Sequence, residues 1–124
     1  MLTTGVDIVH IPRVEAALKR HGERFIRRVF TPREVAASHG FSHELAARFA
    51  AKEAVAKALG VGMRVMSPLG VRFYEVETLR DLLGKPIVVL SGRAAARAQE
   101  LGLTEWAISL SHEREYAIAS AVAQ

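Results

Sequence analysis

SHELAARFAAKEAVAKALG, Ser42 to Gly60, is the stretch from which the rest of the chain can be read. Ser42 is a helix cap, Glu44 suits the first turn, and Gly60 after Leu59 is a left-handed stop. A helix this rich in alanine lets other backbones approach closely. Lys52, Glu53 and Lys57 on it therefore either point to water or are held for chemistry. At about 100° per residue, Phe49, Glu53 and Lys57 share one stripe, and Ala51, Ala54, Val55, Ala58 and Leu59 share another. Glu53 four residues before Lys57 is also the favourable order for a surface ion pair, so a solvated salt bridge explains the spacing equally well.

Working outward, TTGVDIVH (3–10) alternates as a strand, with Val6 and Ile8 on one face and Asp7 and Val9 on the other. Pro12 begins a helix through RVEAALKRH that stops at Gly22. Thr31, Pro32 and Glu34 spell a capping box for a second helix that ends at Gly40, so the alanine-rich helix is the third. Beyond it, GVRFYEVE (70–77) alternates like a strand, GKP leads into the strand IVVL, and Ser91 caps a fourth helix that closes at Gly102. EWAISLSHEREYAIASAVA reads as an antiparallel hairpin turning at HERE. Strand, three helices, two strands, helix and hairpin predict an α+β domain, one unit over residues 1–124, with a small antiparallel sheet packed against helices.

At 124 residues the chain holds one modest core, too little for an interdomain cleft, so a complete site would gain from oligomerisation. There is no cysteine, which excludes disulfides, thiolate metal sites and thiol nucleophiles. The N-terminus lacks a signal-peptide pattern, and no run reaches the roughly 18 apolar residues of a membrane span. A cytoplasmic protein with no membrane partner is expected. A net charge of +4 and a pI near 10.0 favour anionic partners.

A carboxylate inside GVDIV sits where strand propensity is poor and burial of charge is costly unless it is paired. Asp7 is thus a solvent-facing residue, a partner for an arginine, or a ligand. Two carboxylates on rigid elements are what magnesium takes, its shell completed by water and substrate phosphates. Other motifs fall away: GVGMRV lacks the third glycine of a dinucleotide fingerprint, LGKPI is no P-loop, and Ser111 has no nucleophile elbow. His39 and His43 have zinc spacing, but Gly40 and Ser42 break the helix between them. Arg13, Lys19, Arg20, Arg24, Arg27, Arg28 and Arg33 crowd the early helices against Glu15 and Glu23 alone. That basic face is a solvated surface, a docking site for an acidic helix, or an RNA surface; it lacks interleaved stacking aromatics, Phe25 and Phe30 being read as core, so no nucleic-acid partner is expected. A non-catalytic basic module is the rival to an enzyme.

GVDIVHIPRVEAAL, FTPREVA, RFAAKEAVAKALGVG, LGKPIV and ISLSHEREYAIASAV together resemble holo-acyl-carrier-protein synthase, the small bacterial 4′-phosphopantetheinyl transferase family, over essentially the whole chain. The resemblance implies transfer of 4′-phosphopantetheine from coenzyme A to a serine of apo-acyl carrier protein, in fatty acid biosynthesis, within a homotrimer whose active sites lie between subunits. It makes Asp7 and Glu53 ligands of Mg2+ and catalytic together with Lys57, which contacts the diphosphate. Arg48, Gly84, Lys85, Pro86, Ser111 and His112 fall where the family meets the nucleotide, and Arg13, Arg20 and Arg24 where it meets the carrier protein. The alanine-rich helix is then expected to pack on a neighbouring subunit. His10 stands where many relatives have glutamate, so a third carboxylate is absent.

Overall fold

The computed structural model describes residues 1–65 and 67–124. Its elements are β1 (Thr3–His10), α1 (Ile11–His21), α2 (Glu23–Val29), α3 (Pro32–Ser38), α4 (Ser42–Ala58), β2 (Val76–Arg80), β3 (Pro86–Leu90), α5 (Gly92–Glu100), β4 (Trp106–His112) and β5 (Tyr116–Ala123). The α+β class is as expected, but the strands form two antiparallel sheets: β1-β5-β4, with β5 central, and β2-β3. Among the described residues four α-helices, not three, precede β2. The extra one, α2, is seven residues long, follows directly on Gly22, and has no side-chain cap to announce it.

α4 lies across the three-stranded sheet and is buried on almost every side. Its alanines meet this chain's own strands, which corrects the expectation that they pack on a neighbouring subunit. Gly5 of β1 shows how closely: an added Cβ would lie 1.9 Å from the Ala54 carbonyl oxygen and 2.9 Å from the Ala58 nitrogen. The Thr3 hydroxyl donates to the Ala58 carbonyl at 2.8 Å. From β5, Ala117, Ala119, Ala121 and Ala123 are all buried. Small residues face inward because the helix backbone is too near for large ones. The large apolar residues Val6, Ile8, Ile118 and Val122 point away and are exposed. Gly5→Ala should therefore destabilise by at least the ~1–3 kcal/mol typical of overpacking, read as a lower denaturant midpoint. An unchanged midpoint would contradict this strand-to-helix contact.

Caps differ in detail from the sequence reading. Thr31 and Glu34 form the expected box, but Ser42 lies inside α4, whose N-cap is Phe41 without a side-chain bond. Ser91 occupies the N-cap of α5 yet makes no capping bond. Glu75 does that work from a distance, its Oε2 accepting from the Arg93 backbone N–H. Gly92 permits the approach, since a Cβ there would lie 2.0 Å from Glu75 Oε2. The same carboxylate accepts from Arg72 N at 2.7 Å and fixes a 3-10 turn over Phe73–Glu75, so β2 begins only at Val76, later than the alternation of 70–77 suggests.

Lys52 answers part of the question posed by the ions of α4. It is fully buried, and its ammonium donates to Glu34 Oε1 at 2.6 Å, the Phe73 carbonyl at 2.9 Å and the Val76 carbonyl at 2.6 Å. Glu34 Oε2 accepts from Thr78 N at 2.9 Å. One buried pair thus ties α3, α4 and β2 together.

Candidate active site

Asp7 faces α4 because it shares the inward side of β1 with Gly5, and Glu53 rises from the helix opposite. Both line one concavity of about 340 Å3 whose walls include His10, Arg13, Phe25 and Phe49. Phe25, read from sequence as core, is partly a pocket wall. Phe49 is held by packing on Phe73, with ring centroids 5.2 Å apart. Lys57, one turn beyond Glu53, reaches back at the rim: its Nζ donates to Asp7 Oδ1 at 3.0 Å and to the Val6 carbonyl at 2.9 Å. The Asp7 side chain is 13% exposed and that of Lys57 54%.

Burial pushes the Glu53 carboxyl above the usual carboxylate range, and the neighbouring charge of Asp7 adds to this; Lys57 and Arg13 oppose it. Two carboxylates near enough to repel, half-enclosed and with only one oxygen of Asp7 taken by a lysine, make a site that a cation would relieve. The donors are hard oxygens, as magnesium requires. Among the described residues no cluster of three or more metal-ligating side chains occurs, so an ion here would rest on this pair and on oxygens from its substrate.

Residues 3–121 match the sequence profile of the 4′-phosphopantetheinyl transferase superfamily. The chain belongs to that superfamily. Holo-[acyl-carrier-protein] synthase from Roseiflexus castenholzii is 52% identical over 104 residues, 83% of this chain and 76% of that one. The synthase from Herpetosiphon aurantiacus is 47% identical over 124 residues, 98% of each chain. The crystal structure of Helicobacter pylori holo-[acyl-carrier-protein] synthase in complex with coenzyme A superposes with a TM-score of 0.86 at 30% identity, covering 98% of this chain and 99% of that one.

Of the other residues singled out from the sequence, Arg13 and His10 line the pocket of this phosphopantetheinyl transferase superfamily member and the rest lie outside its lining. Arg48 differs most from expectation. It is fully buried, its Nη1 donates to Glu44 Oε2 at 2.7 Å and its Nε to the Thr78 carbonyl at 3.3 Å. Its guanidinium supports the interior and presents no face to a nucleotide in this chain. Gly84, Lys85 and Pro86 form the turn into β3, where Asp81 Oδ1 accepts from Lys85 N at 2.9 Å and Gly84 adopts φ 87°. Ser111 and His112 end β4, both exposed, and His112 lies against His43 with ring centroids 4.6 Å apart. Arg13 begins α1 and reaches the pocket; Arg20 and Arg24 are exposed where α1 gives way to α2. His10 lines the pocket and packs on Tyr116 at 5.0 Å. The described residues contain no helix long and apolar enough to cross a membrane.

Proposed function

We propose that this chain transfers 4′-phosphopantetheine from coenzyme A to a serine of apo-acyl carrier protein, releasing adenosine 3′,5′-bisphosphate. The observation that carries the reading is the pairing of Asp7 and Glu53 over one pocket with Lys57 at its rim, in a chain so similar to holo-[acyl-carrier-protein] synthases. Asp7 and Glu53 are the residues that would hold Mg2+. What the ion supplies when bound is withdrawal of charge from the diphosphate oxygens.

The protein's part is positioning and charge neutralisation, as expected for phosphoryl-type transfer. The serine oxygen bonds to the β-phosphorus of the diphosphate while the bond to the departing bisphosphate breaks. Glu53, directly or through a water, accepts the hydroxyl proton. Asp7 is the poorer base because its Oδ1 already accepts from Lys57. Lys57 stabilises charge building on the leaving bisphosphate. Lys85 in the Gly84–Pro86 turn, Ser111 and, as an auxiliary, His112 receive the nucleotide portion, with Arg48 bracing that side from within.

Arg13, Arg20 and Arg24 form the surface for the acidic carrier protein. Arg20→Ala should raise its KM about two- to fivefold, the worth of one exposed charge pair, and the difference should shrink at high salt. Unchanged KM values would remove this docking surface.

The working unit is a homotrimer in the cytoplasm. A chain this small gains a closed nucleotide site from a neighbour, and the exposed apolar face of Val6, Ile8, Ile118 and Val122 is the surface to be covered. A solution mass of three times the 13.6 kDa chain is expected; a monomer at working concentration would refute it. The test of the activity is the mass of apo-acyl carrier protein incubated with coenzyme A, magnesium and this protein. A gain of one phosphopantetheine is expected, and an unchanged mass would refute the assignment.

A further inference from the structure

A second concavity, of about 310 Å3, opens on the other side of the Phe49–Phe73 pair. Arg28, Arg64 and Arg72 stand around a floor that includes Val71, Phe73 and Tyr74. Some surface arginines are ion-paired, Arg27 with Glu23, Arg33 with Glu77, Arg80 with Glu44 and Arg97 with Glu100. Among the described residues Arg28, Arg64 and Arg72 form no ion pair. Arg64 Nη1 donates to the Pro68 carbonyl at 2.5 Å and Arg72 Nη1 to the Tyr74 hydroxyl at 2.9 Å, so two of the three guanidiniums are held in place by neutral acceptors. The nearby carboxylate, Glu75, is only 5% exposed and is engaged by the backbone of Arg72 and Arg93. Glu75 also lines an adjoining hollow together with Arg64, Arg72, Tyr74 and Arg93, where it offsets part of their charge.

This hollow continues the surface already assigned to the carrier protein. Arg28 lies one turn after Arg24 on α2, and Phe73 connects it through Phe49 to the wall of the catalytic pocket. A cationic rim over an apolar floor fits an amphipathic helix whose carboxylates meet the arginines while its apolar side chains reach Phe73 and the half-exposed Tyr74.

The geometry points to a second anchor for the acidic carrier protein in the hollow of Arg28, Arg64 and Arg72, which holds the partner beside the catalytic pocket and sets its affinity. The inference rests on the carrier-protein reading of the function. Together the three arginines should be worth about tenfold in carrier KM, as three exposed charge pairs.

The experiment compares the wild-type protein with Arg28→Gln/Arg64→Gln/Arg72→Gln in steady-state transfer from coenzyme A to apo-acyl carrier protein, varying each substrate in turn. The expected result is a carrier KM raised about tenfold, a shallower salt dependence of that KM, and a kcat and coenzyme A KM within about twofold of wild type. An unchanged carrier KM overturns the anchor, as does a coenzyme A KM that rises in step, which would make the hollow part of a small-anion site. If the triple variant does not fold, Arg28→Gln and Arg64→Gln singly, both on exposed side chains, give the same comparison on a smaller scale. Wild-type protein that transfers no phosphopantetheine refutes the functional reading itself; transfer with an unmoved KM refutes the anchor alone.

Discussion

Glu53→Gln should reduce kcat about a hundredfold or more while leaving the fold intact. The amide keeps the shape of the carboxylate and loses the charge that would hold a cation and accept a proton, and removal of one such electrostatic group costs roughly 10²–10³ in rate. Stability should not fall with activity. Burial and the charge of Asp7 already disfavour the ionised form of Glu53, so a neutral side chain relieves a local penalty, and the melting temperature should equal or exceed that of wild type. A variant that is both inactive and unfolded would say nothing for the site. Near-wild-type turnover in magnesium would remove Glu53 from the chemistry.

Lys52→Met should have the largest effect on stability. It leaves Glu34 charged inside the protein with its ammonium partner gone, and it also strips hydrogen bonds from the Phe73 and Val76 carbonyls. Breaking a buried pair from one side costs about 3–5 kcal/mol. Glu34→Leu should cost a similar amount for the mirror reason. The double variant Glu34→Leu/Lys52→Met should recover part of the loss, because the uncompensated charge disappears with its partner. Urea unfolding of the four proteins measures the coupling. Single variants within about 1 kcal/mol of wild type would mean that the pair contributes far less than its burial implies.

Much of the fold is legible because its elements end on local signals. Pro12 and Gly22 bound α1, the Thr31–Glu34 box opens α3, Gly60 follows α4, and the charged HERE turn separates β4 from β5. α2 escapes because it has neither a capping side chain nor a spacer after Gly22. β2 is misjudged at its start because Val71, Phe73 and Glu75 alternate like a strand, while Glu75 uses its side chain to cap the 3-10 turn and the distant helix α5.

The inverted packing of β1 and β5 is hidden for another reason. Alternation reveals that Val6 and Ile8 share a face, but only the backbone-to-backbone approach at Gly5 decides that this face points outward. The same limit applies to ions. Lys52 and Arg48 are held in part by main-chain carbonyls of Phe73, Val76 and Thr78, acceptors that leave no trace in a pattern of side chains. Conversely, Asp7 and Glu53 stand out in sequence as carboxylates among apolar neighbours, and the structure brings both to one pocket.

Manganese(II) binding, followed by the spin resonance of the free ion with coenzyme A present, tests the shared carboxylate site most directly. The wild-type protein should bind at a single class of site, and Asp7→Asn and Glu53→Gln should each weaken that binding severely while keeping the native circular dichroism spectrum. Undiminished manganese affinity in either folded variant would contradict joint ligation by Asp7 and Glu53.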